Sequence, residues 1–267
     1  MSFASINAHE PVRNRLVNGK TGRFYRIACE APLHHYFPAR KENKSRDPLP
    51  GMKLIYHSLF QIAWTSFGVW WLVTAVWVKK IKEPEPVLAF VTHHGLSIVA
   101  FVMTFSSWFR LGPLGWSLWP QTRNTFLAGA AIMLAGLGFA IWARFHLGRN
   151  WSSSVALKEG HQLIRSGPYA LVRHPIYTGI ITGLAGTAGA IGEVRGVVAV
   201  VLLTGVYIFK YLREEKLMRK AFGDEYVAYA RETAGLLPKA ATLKSHPVFA
   251  LAAITLVLAF LFTVIFP

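Results

Sequence analysis

Six apolar runs, at 54–78, 87–109, 126–143, 176–192, 196–212 and 247–266, decide what this 267-residue chain can fold into. In hydrocarbon, backbone polar groups must be satisfied inside the spanning segment, so runs of this kind cross a membrane as helices. The first, second and sixth are long enough to span a core roughly 30 Å thick, and the other three lie near the lower limit. Those three are rich in Gly, Ala and Thr, which lets neighbouring helices approach closely. The expected fold is all-α: a polytopic integral membrane bundle of five to six transmembrane helices. A hydrophobic fraction of 53% agrees with that class. The first 50 residues contain no apolar core of the kind a cleavable signal peptide needs.

Four segments are expected: a polar tail at 1–53, N-terminal transmembrane helices at 54–125, a core at 126–239 and a C-terminal transmembrane helix at 240–267. The tail carries Pro11, Pro32, Pro38, Pro48 and Pro50 and reads as an extended or partly helical surface segment. Its adjacent His34 and His35 fit no metal-ligand spacing. The single Cys29 excludes an intrachain disulfide and a cysteine-rich metal site, and no metal is expected. Pro84 and Pro86 punctuate the first connection, and Leu111–Trp119 reads as an interfacial turn or re-entrant piece. Trp64, Trp70, Trp71, Trp77 and Trp108 read as aromatic-belt and packing residues. His57, Gln61, His93 and His94 lie inside the first two runs, where polar groups must meet other helices or a polar cavity. An interhelical hydrogen-bond set is the first reading and substrate contact the second. The multi-histidine motifs of a di-iron enzyme are absent from the sequence.

The formal charge is +16, from 29 Lys and Arg against 13 Asp and Glu. In a membrane protein such an excess sorts to one side and to anionic lipid headgroups, and nucleic acid is not an expected partner. Segments 79–86, 144–175 and 210–246 hold sixteen Lys and Arg, while 110–125 and 193–195 hold three. The positive-inside rule therefore puts the 144–175 loop on the cytoplasmic side of a cell inner membrane or endomembrane. The tail, with ten more, falls on the other side of this count.

Polar groups concentrate in Gly167-Pro-Tyr-Ala-Leu-Val-Arg-His-Pro-Ile-Tyr-Thr-Gly179 and again in Arg213-Glu214-Glu215. Between them lie the fourth and fifth runs, joined by a short turn at 192–196. Gly179, Thr182, Gly183, Gly186, Gly189 and Gly192 give the fourth run a small-residue face, so these two runs are expected to form a close antiparallel hairpin. That hairpin returns the chain to the side it left, which brings Arg173 and His174 to the same face as Glu214 and Glu215. Downstream, Lys216–Phe222 is amphipathic. Gly223 is a helix stop, and Asp224 caps a short helix able to close over a pocket. Tyr226 and Tyr229 on it read as packing or interface residues. His146 and Arg149 have no assigned role. Carboxylates, a cation, a histidine and phenols together suit a zwitterionic small molecule. A lipophilic second ligand can enter from the bilayer.

Gly148-x-Asn150-Trp151, His161-x-Leu163-Ile164-x-x-Gly167-x-Tyr169-x-x-x-Arg173-His174-Pro175-x-Tyr177-x-Gly179, Glu214-Glu215, Phe222-Gly223-x-Glu225-Tyr226-x-x-Tyr229 and Leu237-Pro238 form one combined pattern. It resembles the isoprenylcysteine carboxyl methyltransferase family and, more broadly, the membrane methyltransferases that include phospholipid N-methyltransferases. The resemblance covers about residues 126–239. It implies S-adenosylmethionine as methyl donor in a cytoplasmic cofactor pocket. His161, Gln162, Leu163, Ile164, Tyr169, His174, Pro175, Ile176 and Tyr177 would line that pocket, and Glu214 would hold the donor's amino group. Lys210 stands where the family has an arginine associated with the acceptor carboxylate; lysine keeps the charge and loses the bidentate fork. Arg173 and Glu215 are expected as catalytic residues, with Arg173 and Lys210 toward the acceptor. Glu215, His174 or water takes the proton if the acceptor is an amine or thiol. A prenylated cysteine, a phospholipid amine, another lipid and a small thiol all remain open as acceptors. A nicotinamide-dependent reductase of the sterol-reductase type is the alternative enzyme. A transporter would want an intramembrane charge pathway or an inverted repeat, and the sequence displays neither.

Overall fold

The computed structural model describes residues 16–18, 24–26, 50–75, 81–83, 86–148, 151, 157–158 and 163–266. The chain divides into two units, Met1–Lys44 and Ser45–Pro267. In the first, strands β1 (Leu16–Asn18) and β2 (Phe24–Arg26) pair antiparallel. The tail was expected to be extended or partly helical, and its described residues are extended strands.

The second unit is helical. Its helices are α1 (Pro50–Ala75), α2 (Val87–Phe105), α3 (Arg123–Leu147), α4 (Pro168–Leu171), α5 (Pro175–Ile191), α6 (Val194–Glu232), α7 (Ala240–Ser245) and α8 (Pro247–Ile265). The described residues of the six apolar runs fall mainly on α1, α2, α3, α5, α6 and α8, and 76–78 lie outside the described residues. Among the described residues, α2, α3, α6 and α8 are long and apolar enough to cross a membrane, and α5 is a shorter apolar helix. The protein is an integral membrane helix bundle.

Local chemistry sets the helix ends. Thr122 caps α3 by accepting from the Thr125 N–H, while Thr125 reciprocates on the Thr122 N–H. Pro175 opens α5 at a position whose N–H would lack a helical partner anyway. Gly192 closes α5 in the left-handed conformation, φ 67° and ψ 19°. Gly223 breaks α6 at φ 53° and ψ −128°, the backbone that the sequence assigned to a stop. The chain beyond it is redirected but stays helical to Glu232.

The most extensive helix pairing is α3 on α5. The small face of α5, expected to close on the following helix, is spent mainly on α3. A Cβ on Gly136 would lie 2.4 Å from the Gly183 nitrogen and 2.6 Å from the Gly179 oxygen. Both obstacles are backbone and cannot rotate away. Gly136→Ala is therefore expected to cost about 1–3 kcal/mol, the usual range for overpacking. Thermal melting of the purified protein in detergent checks this, with Gly138→Ala as control, because Gly138 faces open space.

Two sets of contacts tie the ends of the bundle. At one, β3 (Ile81–Glu83) pairs antiparallel with β4 (Leu157–Lys158), and the Arg144 guanidinium donates to the Thr74 carbonyl at 2.9 Å. This joins the 79–86 and 144–175 segments that the charge count had grouped on one face. At the other, Leu111–Trp119 holds one 3-10 turn, Gly112–Gly115, and a second, Ser107–Phe109, leads into it. It hydrogen-bonds the α5–α6 turn through Leu118 N to Gly192 O and Val194 N to Trp116 O. There Glu193 accepts from both Arg110 and Arg195, and Arg195 also donates to the carbonyls of Met103 and Ser106.

Candidate active site

The α5–α6 hairpin performs the convergence expected of it. Arg173 and His174 precede α5, while Lys210, Glu214 and Glu215 lie on α6 where it passes them. Arg173 Nε donates to Glu215 Oε1 at 2.9 Å, and its other donors reach the same carboxylate and the carbonyls of Ala230 and Thr233. His174 lies between the two carboxylates, Nδ1 3.3 Å from Glu214 and Nε2 3.5 Å from Glu215. The Tyr177 hydroxyl donates to Glu214. Its ring stacks on His174 with centroids 5.7 Å apart and carries the Lys210 ammonium 5.5 Å from its centre.

The chain after Gly223 locks this arrangement from outside. Arg173 N donates to Ala234 O at 2.8 Å and His174 N to Gly235 O at 3.0 Å. Thr178 Oγ1 donates to Leu236 O at 2.7 Å, and the Tyr229 hydroxyl to Tyr169 O at 2.6 Å. Tyr226 and Tyr229, read from sequence as packing residues, are buried and also line the site.

The site borders a cavity of about 520 Å³. Leu163, Ile164, Tyr169, Arg173, His174, Pro175, Ile176, Tyr177, Lys210 and Glu214 all line it. His161 and Gln162 lie outside the described residues. Glu215, expected as a catalytic residue, is buried against Arg173 and is not among the residues that line the cavity. Arg173 reaches the wall, but its donors are spent on Glu215 and two carbonyls.

Sequence reasoning missed the far wall. Trp64, Phe67, Trp71 and Phe101 line it, although the tryptophans read as belt residues. Ser97 of α2 lines it too, as do His93 and His94, for which a polar cavity was one of the sequence readings. Gln61 is exposed, and the His57 side chain lies outside the described residues. Arg144 was also missed: it stands over the Trp151 ring at 4.3 Å and donates to the Gly148 carbonyl at 2.9 Å. A lone arginine ending an apolar run was the available signal. His146, left without a role, lies 2.9 Å from Ser166 Oγ and against Tyr169.

Two features of the cavity fit a donor with charged and aromatic parts. Tyr169 Oη is buried and lacks a hydrogen-bond partner among the described residues. Burial, then the Glu214 charge, push its phenol up, so it stays protonated at the wall of the cavity. For His174, burial opposes the charged ring, but hydrogen bonds and charge from Glu214 and Glu215 prevail and raise its pKa above the ordinary 6.5. A raised folded-state pKa gives stability that is complete below the unfolded value and is lost as pH rises through the folded one. The melting temperature of wild type should therefore fall, relative to His174→Gln, as pH is raised from 6.5 through that folded value. Thermal melts across that window check the sign.

The bundle with its polar pocket and apolar wall suits an integral membrane enzyme for a lipophilic substrate, and the comparisons point to methyl transfer. Residues 124–225 match the family described as phospholipid methyltransferase. The chain is 29% identical over 153 residues to a cobalt-zinc-cadmium resistance protein of Cupriavidus metallidurans, covering 56% of this chain and 66% of that one. It is 25% identical over 172 residues to a nickel-cobalt-cadmium resistance protein of Alcaligenes xylosoxydans xylosoxydans, covering 63% of this chain and 76% of the relative. It is 27% identical over 197 residues to the protein-S-isoprenylcysteine O-methyltransferase of Rattus norvegicus, covering 68% of each. The chain is thus similar to the phospholipid methyltransferase family over residues 124–225 and to a protein-S-isoprenylcysteine O-methyltransferase over a longer stretch.

Proposed function

We propose that the protein moves a methyl group from S-adenosylmethionine to a lipophilic acceptor, at a site on the cytoplasmic side of its membrane. The observation that carries this reading is a carboxylate, Glu214, held by Tyr177 and His174 at the edge of a cavity whose opposite wall is aromatic. Glu214 would take the ammonium group of the donor, and the unpartnered Tyr169 hydroxyl would donate to its carboxylate or ribose. Leu163, Ile164, Pro175 and Ile176 would bury the adenine ring. When bound, the donor supplies a methyl already activated on a sulfonium. What remains for the protein is alignment and exclusion of water. The strap at 233–236 and the buried Arg173–Glu215 pair hold the α5 entrance still for that purpose.

The acceptor side is lined by α1 and α2. Leu72 lines the cavity and is 71% exposed, so the cavity opens to the surface beside α1. An apolar chain would enter there from the bilayer, with Lys210 near its reacting end. The cytoplasmic assignment rests on the sixteen basic residues that the sequence carries in segments 79–86, 144–175 and 210–246, against three in 110–125 and 193–195. The test is incubation of the purified protein with labelled S-adenosylmethionine and membrane lipid extract, followed by identification of the labelled product. Label in a lipid-soluble product is expected. Binding of the dinucleotide NADPH in place of the methyl donor would overturn the reading in favour of a reductase.

A further inference from the structure

The apolar part of the cavity has a floor. Helices α1 and α3 end, and α2 and α5 begin, at the end of the bundle that holds Arg173 and His174, and α6 returns to it at Glu214. Away from that end, the lining stops at Trp64 on α1, Phe101 on α2, Ile180 on α5 and Tyr207 on α6. One helical turn further, on the same faces, stand Phe60, Thr104, Leu184 and Leu203. All four are buried, at most 5% exposed, and none lines the cavity. Four helices therefore stop lining the cavity together, over packed side chains.

Trp64 is the largest residue of this floor, and a polar bond fixes it. Its Nε1 donates to Thr187 Oγ1 on α5 at 3.0 Å, and that hydroxyl donates its own proton to the Gly183 carbonyl at 3.0 Å. The threonine is fully buried, so neither partner has water as an alternative and the bond holds the indole in one orientation. The edge of the indole lies on Gly183, where a Cβ would come within 3.2 Å of Cζ2. Phe67 and Phe101 meet it edge to face, with centroids 5.8 and 4.8 Å away. Leu72, where the cavity opens to the surface, stands two helical turns along α1, roughly 12 Å from Trp64 at 1.5 Å per residue. With the donor's charged end at Glu214, the space between Tyr207 and Trp64 is left to the acceptor, and Phe67, Gly68, Phe101 and Ile180 make it apolar.

We propose that Trp64 sets how long an apolar chain the acceptor can place inside the bundle, and that Thr187 is the positioning residue that holds Trp64 in place. The inference rests on the methyltransferase reading above. The chain enters beside Leu72, runs from its reacting end near Lys210 toward the floor, and ends against the indole. A chain that instead left through the opening beside Leu72 would meet no floor, and its length would not matter. Removing the indole opens the space over Gly183 and lengthens the cavity at its closed end.

The full chain in detergent is given labelled S-adenosylmethionine with two acceptor series, n-alkanethiols and N-acetyl-S-alkylcysteines, each from butyl to octadecyl. In the series it methylates, wild type should show a longest accepted chain, each carbon beyond it costing about tenfold or more in rate, the usual discrimination of a closed apolar pocket. Trp64→Ala should move that limit several carbons longer, with the affinity for S-adenosylhomocysteine unchanged. Retained affinity also certifies the fold of the variant; where Trp64→Ala does not fold, Trp64→Leu carries the same expectation. Thr187→Val should lower the ratio of rates on the two sides of the limit by about fivefold, the factor that an ordinary hydrogen bond supplies. Thr187→Ser, which keeps the hydroxyl, should restore it. A loss of packing alone would lower every rate together and leave that ratio unchanged. A rate indifferent to chain length, a limit unmoved by the loss of the indole, or no label in either series while S-adenosylhomocysteine binds would each overturn the proposal. Failure of wild type to bind S-adenosylhomocysteine at all would instead overturn the methyltransferase reading.

Discussion

Glu214→Gln is expected to weaken binding of S-adenosylmethionine by at least about 30-fold, measured by calorimetry on the purified protein. Truncating one member of a buried, hydrogen-bonded charge pair costs about 2–5 kcal/mol, much of it from the partner left behind. Here the partner inside the protein is His174, 3.3 Å away, and the partner in the ligand is an ammonium group. The amide keeps the shape and can still accept from Tyr177, so the loss isolates the charge. Glu232→Gln is the matched control. Its carboxylate pairs with Arg165 at 3.3 Å on the surface, with 71% of the Glu232 side chain exposed. Exposed pairs contribute about 0–1 kcal/mol, so donor affinity and stability should hardly move.

Glu193→Gln should cost the largest amount of stability, about 3–5 kcal/mol, and leave donor affinity intact. Glu193 and Arg195 are 4% and 3% exposed, and Glu193 is the carboxylate that neutralises both Arg195 and Arg110. Removing its charge leaves Arg195 buried without a counter-ion, with only neutral acceptors: the new amide oxygen and the carbonyls of Met103 and Ser106. Arg110 is half exposed and can turn to water, so Arg110→Ala should cost far less. The clamp joins the end of α2 to the α5–α6 turn. From there the 17-residue α5 separates it from His174 by roughly 25 Å at 1.5 Å per residue. A melting temperature lowered by roughly 10 °C with unaltered donor binding would match both parts of the expectation. Loss of donor binding in the folded variant would contradict the second.

The pairing of Arg173-His174 with Glu214-Glu215 was legible before any coordinates, because a two-helix hairpin must return its ends to one face. Gly223 as a break was legible too, since only glycine adopts φ 53° with ψ −128° without strain. The division of labour between the two glutamates was not. Adjacent residues on a helix point about 100° apart, and only packing decides which one meets the cavity. Glu214 meets it and Glu215 turns to Arg173. The aromatic wall was illegible for a related reason. A tryptophan in an apolar run looks the same whether it faces lipid, another helix or a ligand.

What the sequence determined alone was the class of the molecule. Six apolar runs and their polar connections leave backbone groups no option in hydrocarbon except helices, and short turns fix which ends lie together. The tertiary structure decided which helices touch. The glycines of α5 accept α3 because the two backbones approach closer than any Cβ would allow. Wherever several faces are apolar, hydrophobicity cannot choose among them, and shape does. That choice places α1 and α2 opposite the polar end and turns a cluster of charged residues into one wall of a cavity.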